Sequence, residues 1–260
     1  MRPHPRRPAV PTRGTRGCAG QRAAAAARAG GLNMSALDRP VWATLQHQAH
    51  WRVGQRGAAL AWRFRPDIHG FAATADESPE SLAALAGLLA PGGDSVYLLQ
   101  VPPIAVAADL EVVKAASGVQ MVATRPLPPD DDVVVLGDAD AAEMLALARL
   151  TEPGPFFSRT HTMGRFIGVR IEGRLAAMAG ERMRFPGHVE ISAVCTHPDF
   201  RGQGLARRLS AAVAADIQRR GDLPFLHAWT TNTAAIALYE GLGFVVRTPV
   251  HVAVLRRRPA

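Results

Sequence analysis

Cysteine is scarce in this chain. Of 260 residues only two are cysteine, Cys18 and Cys195. They form no CxxC pair and no histidines cluster around them, so neither a disulfide framework nor a zinc site is expected. No run of about 18 apolar residues free of charge occurs, which argues against a transmembrane helix. Acidic residues are missing altogether from positions 1–33, where seven arginines stand. Removing those seven charges from the formal net charge of +8 leaves +1 for the remainder. The body of the chain is therefore close to neutral, and no basic face for nucleic acid is implied. The first 33 residues are rich in Pro, Ala, Gly and Arg and lack an apolar stretch of secretory type. They read as a disordered basic extension, with Met34 as a candidate start beside Met1. No membrane partner and a cytoplasmic location are expected.

What is present is enough apolar residue, 48%, to build a core. Pro40 opens a helical pattern in which Trp42, Leu45 and Ala49 share a face. GAALAWRF (57–64) reads as a strand. SPESLAALAGLLAPGG (78–93) is a helix with Ser78 as its cap and Pro79 at its first position. SVYLLQV (95–101) reads as a buried strand, LEVVKAASG (110–118) as a short helix closed by Gly118, and VQMVAT (119–124) as a strand. RPLPPDDD (125–132) is a proline-rich, acidic break. The pattern predicts an α/β domain over 34–124, a linker over 125–131 and a second domain over 132–260. In the second domain DVVVLG is a strand and DADAAEMLALARL a helix. Three strands in a meander follow: RFIGVRI, RLAAMAGERMR and HVEISAVCTH. GQGLARRLSAAVAADIQRRG is then a helix, PFLHAWT a strand, NTAAIALYEGLG a helix and FVVRTPVHVAVLRR strand again.

The join AVCTHPDFRGQGLARRLS carries chemistry. Gly202 and Gly204 stand where a strand gives way to an amphipathic helix. Its apolar face is Leu205, Leu209, Ala212, Val213 and Ile217. A helix start offers free backbone N–H groups and the positive end of a dipole, and two glycines let an anion come close. Arg201, Arg207 and Arg208 add charge, so the loop suits a phosphate or pyrophosphate. It is not a Walker loop, since GxxxxGK[ST] is absent. It is not a dinucleotide fingerprint either, since Arg207 stands where GxGxxG needs glycine.

Residues 131–257 resemble the GNAT superfamily of acyl-CoA-dependent N-acyltransferases. The family signature [QR]xxGx[GA] is met by Arg201, Gly204 and Ala206. NTAAIALYEGLGF (232–244) is similar to its second landmark, N-x-x-A-x-x-L-Y-x-x-x-G-F. An extra half before this region resembles the glycine N-acyltransferase-like branch. The resemblance implies an α/β (α+β) fold with a mixed, mostly antiparallel sheet flanked by helices. The smaller N-terminal α/β domain would precede it as a degenerate copy. The sheet would split between strands 188–197 and 224–230 to admit the donor. Acetyl-CoA or another acyl-CoA is the implied co-substrate, with no metal. Its pyrophosphate is expected on Arg201, Gly202, Gln203, Gly204, Leu205 and Ala206, its pantetheine arm along Ala193, Val194 and Cys195, and a further contact at Asn232.

Acyl transfer from a thioester to an amine needs a base, oxyanion donors and an acid for the thiolate. Tyr239 lies two helical turns after Asn232 and is the candidate acid. Glu190, in the apolar strand HVEISAVC, is the candidate base, on the expectation that burial raises its pKa. His227 and a water chain are the rivals. Cys195 is expected to pack in the core. Backbone N–H groups of Ala193, Val194 or Cys195 would serve the oxyanion. The acceptor would be a small-molecule or peptide amine, and a homodimer is an open possibility. The rival function is a non-catalytic acyl-CoA-binding module.

Overall fold

The computed structural model describes residues 34–53, 60–130 and 132–259. The expected disordered extension, 1–33, and part of the strand expected at 57–64 lie outside the described residues. Among the described residues five helices form: α1 Pro40–His47, α2 Pro79–Gly87, α3 Ala141–Thr151, α4 Leu205–Arg219 and α5 Thr233–Leu242. The strands are β1 Arg52–Val53, β2 Ala61–Phe64, β3 Ala72–Thr74, β4 Val96–Gln100, β5 Leu110–Ala123, β6 Val134–Leu136, β7 Phe166–Ile171, β8 Arg174–Phe185, β9 His188–Thr196, β10 Leu223–Trp229 and β11 Phe244–Arg257. β1, β2 and β3 make a small sheet, and the other eight make one large sheet in the order β4-β11-β5-β10-β9-β8-β7-β6. Every pair in the large sheet is antiparallel except β9 with β10.

Caps and periodicity explain the helix starts. Ser78 Oγ accepts from Ser81 N at 3.2 Å ahead of Pro79 in α2. The face of α4 expected from the sequence is the buried one: Leu205, Leu209, Ala212, Val213 and Ile217 all pack into the core. Burying each large aliphatic side chain contributes about 1.5–3 kcal/mol. Strand alternation sorts the core into two layers. On one face α4 and α5 cover Ile167, Ala177, Ala179, Ile191 and Leu226. On the other α3 covers Phe166, Met178, Ala193 and Cys195. Beside it, on that same face, α1 and the small sheet cover Met183, Phe185, Phe225 and Val252.

Two expectations are corrected. Residues 110–118 are not a helix but the first part of β5, which runs on without a break to Ala123. β5 pairs with β11 from Leu110 to Ala123 and with β10 from Gly118 to Val122. Long-range pairing supplies the backbone hydrogen bonds and overrides the local helical preference of Lys114-Ala115-Ala116. Gly118 is no helix stop; a β-carbon there would meet the Ala228 carbonyl oxygen at 2.9 Å. Nor is the break at 125–131 a boundary between two domains among the described residues. Residues 34 onward form one unit, and β4 and β5 belong to the same sheet as β6–β11. The segment 125–130 is a strap instead. Leu127 N donates to Gln218 Oε1 at 2.9 Å, and Arg125 donates to the Leu242 and Gly241 carbonyls at 3.1 and 3.0 Å.

Candidate active site

β9 and β10 pair over only three positions, His188 with Leu223, Val189 with Pro224 and Glu190 with Phe225. Beyond these, β10 follows β5 as far as Trp229 while β9 stays with β8. The sheet therefore splits, and a cleft of about 830 Å³ opens through it. Its lining comes from both layers. Leu205, Leu238 and Tyr239 belong to the α4/α5 side, Phe71, Leu99 and Val252 to the other.

β9 is irregular at this split. Ser192 faces Gly180 and Cys195 faces Met178, so Ala193 and Val194 together oppose the single Ala179. Ala193 takes a left-handed φ of +53°. This is a β-bulge, and it turns backbone groups of Ala193 and Val194 out of the β8 ladder. It also shifts the side-chain phase: Ile191 and Val194 pack toward α4, while Ala193 and Cys195 pack toward α3. A non-glycine residue in this conformation marks a local strain worth relating to function.

Below β9 the chain turns through Pro198–Phe200, with His197 Nδ1 accepting from Asp199 N at 3.2 Å. Gly202 and Gly204 have φ of +78° and +74°, and a β-carbon on either would meet nothing within 4 Å. Glycine is needed there for its backbone, not for space. The first bond of α4 runs from Arg208 N to Gly204 O at 3.0 Å. The amides of Leu205, Ala206 and Arg207 are left without a helical acceptor. Arg201, Gly202, Gly204, Leu205, Ala206 and Arg207 line the cleft; Gln203 does not. Arg208 is turned away and pairs with Asp130, Nη2 to Oδ1 at 3.0 Å. Asn232 lines the cleft and caps α5, its Oδ1 accepting from Ala235 N at 3.1 Å.

Tyr239 lines the cleft from α5 and is 9% exposed. Burial pushes its phenol up to about 12, with Ser210 of α4 beside it. Cys195 also lines the cleft, but burial raises its thiol to about 11. It is a thiol at neutral pH, not a nucleophilic thiolate.

Glu190 departs from the expectation. Its side chain is 0% exposed and does not line the cleft. Arg182 of β8 grips it through two bonds, Nε to Oε2 at 2.7 Å and Nη2 to Oε1 at 2.6 Å. His227 Nδ1 donates to the same Oε1 at 2.7 Å. Burial alone would raise this carboxyl, but the Arg182 guanidinium and His227 overcome it and hold it at about 2. The expected rise in pKa is thus reversed. His227 lines the cleft, yet its Nε2 faces Gln120 Nε2 at 3.1 Å. That amide is oriented by Leu37 O, which it meets at 2.8 Å, and by Arg247 Nη1, which gives 2.9 Å to Gln120 Oε1. Gln120 therefore presents an N–H, and the imidazole accepts at Nε2 and donates at Nδ1.

Arg182, Gln120, Phe71 and Tyr97 escaped the sequence reading. Arg182 alone had a visible signal, a charge within the apolar strand RLAAMAGERMRF.

The model of FR47-like proteins matches residues 166–252. A solved structure of an acetyltransferase assigned to the GNAT family of Novosphingobium aromaticivorans is 43% identical, covering 85% of this chain and 98% of that one, with a TM-score of 0.79. The chain belongs to the GNAT family. A GCN5-related N-acetyltransferase of Kribbella flavida shares the fold at 17% identity and a TM-score of 0.60, over 86% of this chain and 96% of that one. Among curated proteins, a mycothiol acetyltransferase of Thermobispora bispora is 43% identical over 70 residues, 26% of this chain. An uncharacterized protein of Mycobacterium leprae is 29% identical over 224 residues, 76% of this chain. The matched stretches span 60% of the M. leprae protein and 23% of the T. bispora one. The GNAT match extends to the first half of the chain. The narrower likeness to a glycine N-acyltransferase branch rests on no such match.

Proposed function

We propose that this GNAT protein transfers an acyl group, acetyl first among them, from acyl-CoA to a primary amine by direct attack. The observation that carries the reading is the bulge at Ala193, set where β9 and β10 part and lining the same cleft as the first residues of α4. Acyl-CoA would supply a thioester carbonyl as electrophile and a thiolate as leaving group. The fit rests on two left-handed glycines with open space over them and on helix amides without acceptors. These amides, with Arg201 and Arg207, suit the pyrophosphate. The free edge of β9 at Ala193–Cys195 suits the pantetheine arm.

Each step then has a candidate group. Displaced amides at the bulge suit the charge that develops on the thioester oxygen. The amine nitrogen forms the new bond to carbon as the carbon–sulfur bond breaks. An incoming ammonium loses two protons in all: one leaves for solvent before attack, and the other balances the proton that the thiolate takes up. Tyr239, protonated throughout the neutral range, is the proposed donor to that thiolate. Glu190 suits the role of counter-charge to Arg182 rather than the base. A carboxylate held at about 2 and occupied on both oxygens is a weak proton acceptor.

The test is thiol release from acetyl-CoA with a panel of amines. Amine-dependent release, lost in Tyr239→Phe, is the expected result. Coenzyme A binding without turnover of any amine would instead favour a non-catalytic binding module.

A further inference from the structure

The cleft is chemically lopsided. At the α4 end it carries Arg201 and Arg207. On the opposite side of the sheet its wall is apolar and aromatic. Phe71 and Tyr97 meet edge to face at 6.2 Å and 90°, and Leu99 and Val252 continue the wall. The Tyr97 ring is seated on bare backbone, since a β-carbon at Gly70 would stand 2.9 Å from it.

The floor of this chamber contains charge but no net charge. The Arg182 guanidinium lies 5.0 Å from the Phe71 ring centroid and is bound twice by Glu190. Its cation is already answered, so a carboxylate on the acceptor would find no uncompensated partner there. His227 has both ring nitrogens engaged, Nδ1 with Glu190 and Nε2 with Gln120, so neither is left to bind an acceptor carboxylate.

One acidic side chain lines the cleft among the described residues, Glu152. It makes no ion pair with any of them. It ends α3 in the left-handed region, φ +48° and ψ +53°, and turns the chain so that Thr151, Pro153, Gly154 and Pro155 line the cleft with it. The preceding Thr151 lies beside the Cys195 thiol, two residues past the bulge. Glu152 thus stands on the rim of the cleft, one residue after the Thr151 that meets Cys195.

From this arrangement we infer the acceptor class, resting on the acyl-transfer reading above. The acceptor is a small primary amine on an apolar or aromatic body, without a carboxylate. Its body sits against Phe71, Tyr97, Leu99 and Val252, and its ammonium is met by Glu152 before deprotonation. Removing an apolar body from water favours such a ligand. A carboxylate would meet Glu152 with like charge, and a second ammonium would be stranded in an apolar chamber.

The experiment measures acetyl transfer by the full chain to 2-phenylethylamine, ethylamine, phenylalanine and spermidine, with coenzyme A binding followed separately by calorimetry. The expected kcat/KM for 2-phenylethylamine exceeds each of the others by about tenfold or more. The Glu152 side chain is exposed, so in Glu152→Gln the KM for 2-phenylethylamine rises about two- to fivefold with kcat little changed, the scale of one exposed ion pair, and Glu152→Asp restores part of it. Preference for phenylalanine or spermidine overturns the proposal. So does an unmoved KM in Glu152→Gln. Bound coenzyme A with no turnover of any of the four amines refutes this acceptor class and leaves the donor site standing. No coenzyme A binding refutes the acyl-transfer reading, and this inference falls with it.

Discussion

Glu190→Gln separates two roles that a carboxylate in this strand can have. A base acts on the reacting proton, and its loss removes activity while the fold survives. A counter-charge holds a buried cation, and its loss is felt first in stability. Arg182 is 9% exposed and Glu190 is 0% exposed. Removing one partner of a pair this buried costs about 3–5 kcal/mol, because the other charge stays behind uncompensated. The titration of Glu190 gives a similar scale. Its carboxyl falls from 4.5 to about 2 on folding. A drop of about two and a half pH units is worth about 3 kcal/mol, at 1.36 kcal/mol each. Because the folded value is the lower one, this stability is fully present above pH 4.5 and drains away as pH falls toward 2.

Urea unfolding at pH 7 reads the effect directly. With a urea slope of about 3 kcal/mol/M, the midpoint of Glu190→Gln drops by about 1 M. The double variant Arg182→Leu/Glu190→Gln recovers most of that drop, since no charge is then left alone. The introduced amide keeps a carbonyl oxygen for His227 Nδ1, so the histidine is not orphaned in either variant. Near pH 2 the stability gap between wild type and Glu190→Gln closes. The reasoning is refuted if Glu190→Gln unfolds at the wild-type urea concentration and has lost acetyl transfer by a hundredfold or more. Glu190 would then be the base after all.

Tyr239→Phe keeps the ring against Phe244, which it meets at 6.0 Å, and removes only the hydroxyl. Steady-state kinetics should show kcat lower by about 100-fold or more with KM for acetyl-CoA little changed. Gly204→Ala forces a β-carbon onto a φ of +74° at the start of α4. That costs about 1–2 kcal/mol locally and should weaken coenzyme A binding by about tenfold in calorimetry, leaving amine selectivity intact. Gly180→Ala should lower thermal stability by about 1–3 kcal/mol, because a β-carbon there would stand 2.3 Å from the Phe166 ring, where the core is already full. A wild-type melting temperature in Gly180→Ala would show that the Phe166 ring has room to move.

What the sequence disclosed was local. The glycines of the loop, the apolar face of α4 and the Asn232 cap each depend on residues a few positions apart, and each is legible for that reason. The strand HVEISAVC was legible too, but its bulge was not. Alanine carries no signature of a left-handed backbone, so Ala193 could be found only from its pairing with β8. Arg182 and Glu190 are eight residues apart, and only the hairpin register brings them together. The identity of Glu190 was visible, whereas the sign of its pKa shift depended on that unseen partner. β5 was the hardest element. Its neighbours β10 and β11 lie about a hundred or more residues downstream, while Val112 and Val113 are half exposed and mask any apolar alternation. Nothing local could outweigh the helical look of Lys114-Ala115-Ala116.

The placement of β5 also explains why motif reasoning reached the donor and stopped short of the acceptor. The residues proposed for acyl-CoA all fall between Ala193 and Tyr239, within one continuous part of the sheet and its two covering helices. The opposite wall is assembled differently. β5 enters between β10 and β11, and β11 in turn carries β4. Tyr97 and Leu99 of β4 thereby reach the cleft, and Phe71 joins them through its bridge to Tyr97. Val252 comes from β11 and Gly118 from β5 itself. The wall proposed for the acceptor therefore exists only once both halves of the chain share one sheet. Substitutions at Phe71 or Leu99 should alter which amine is used without weakening coenzyme A binding, and changes at Gly202 or Gly204 should do the reverse.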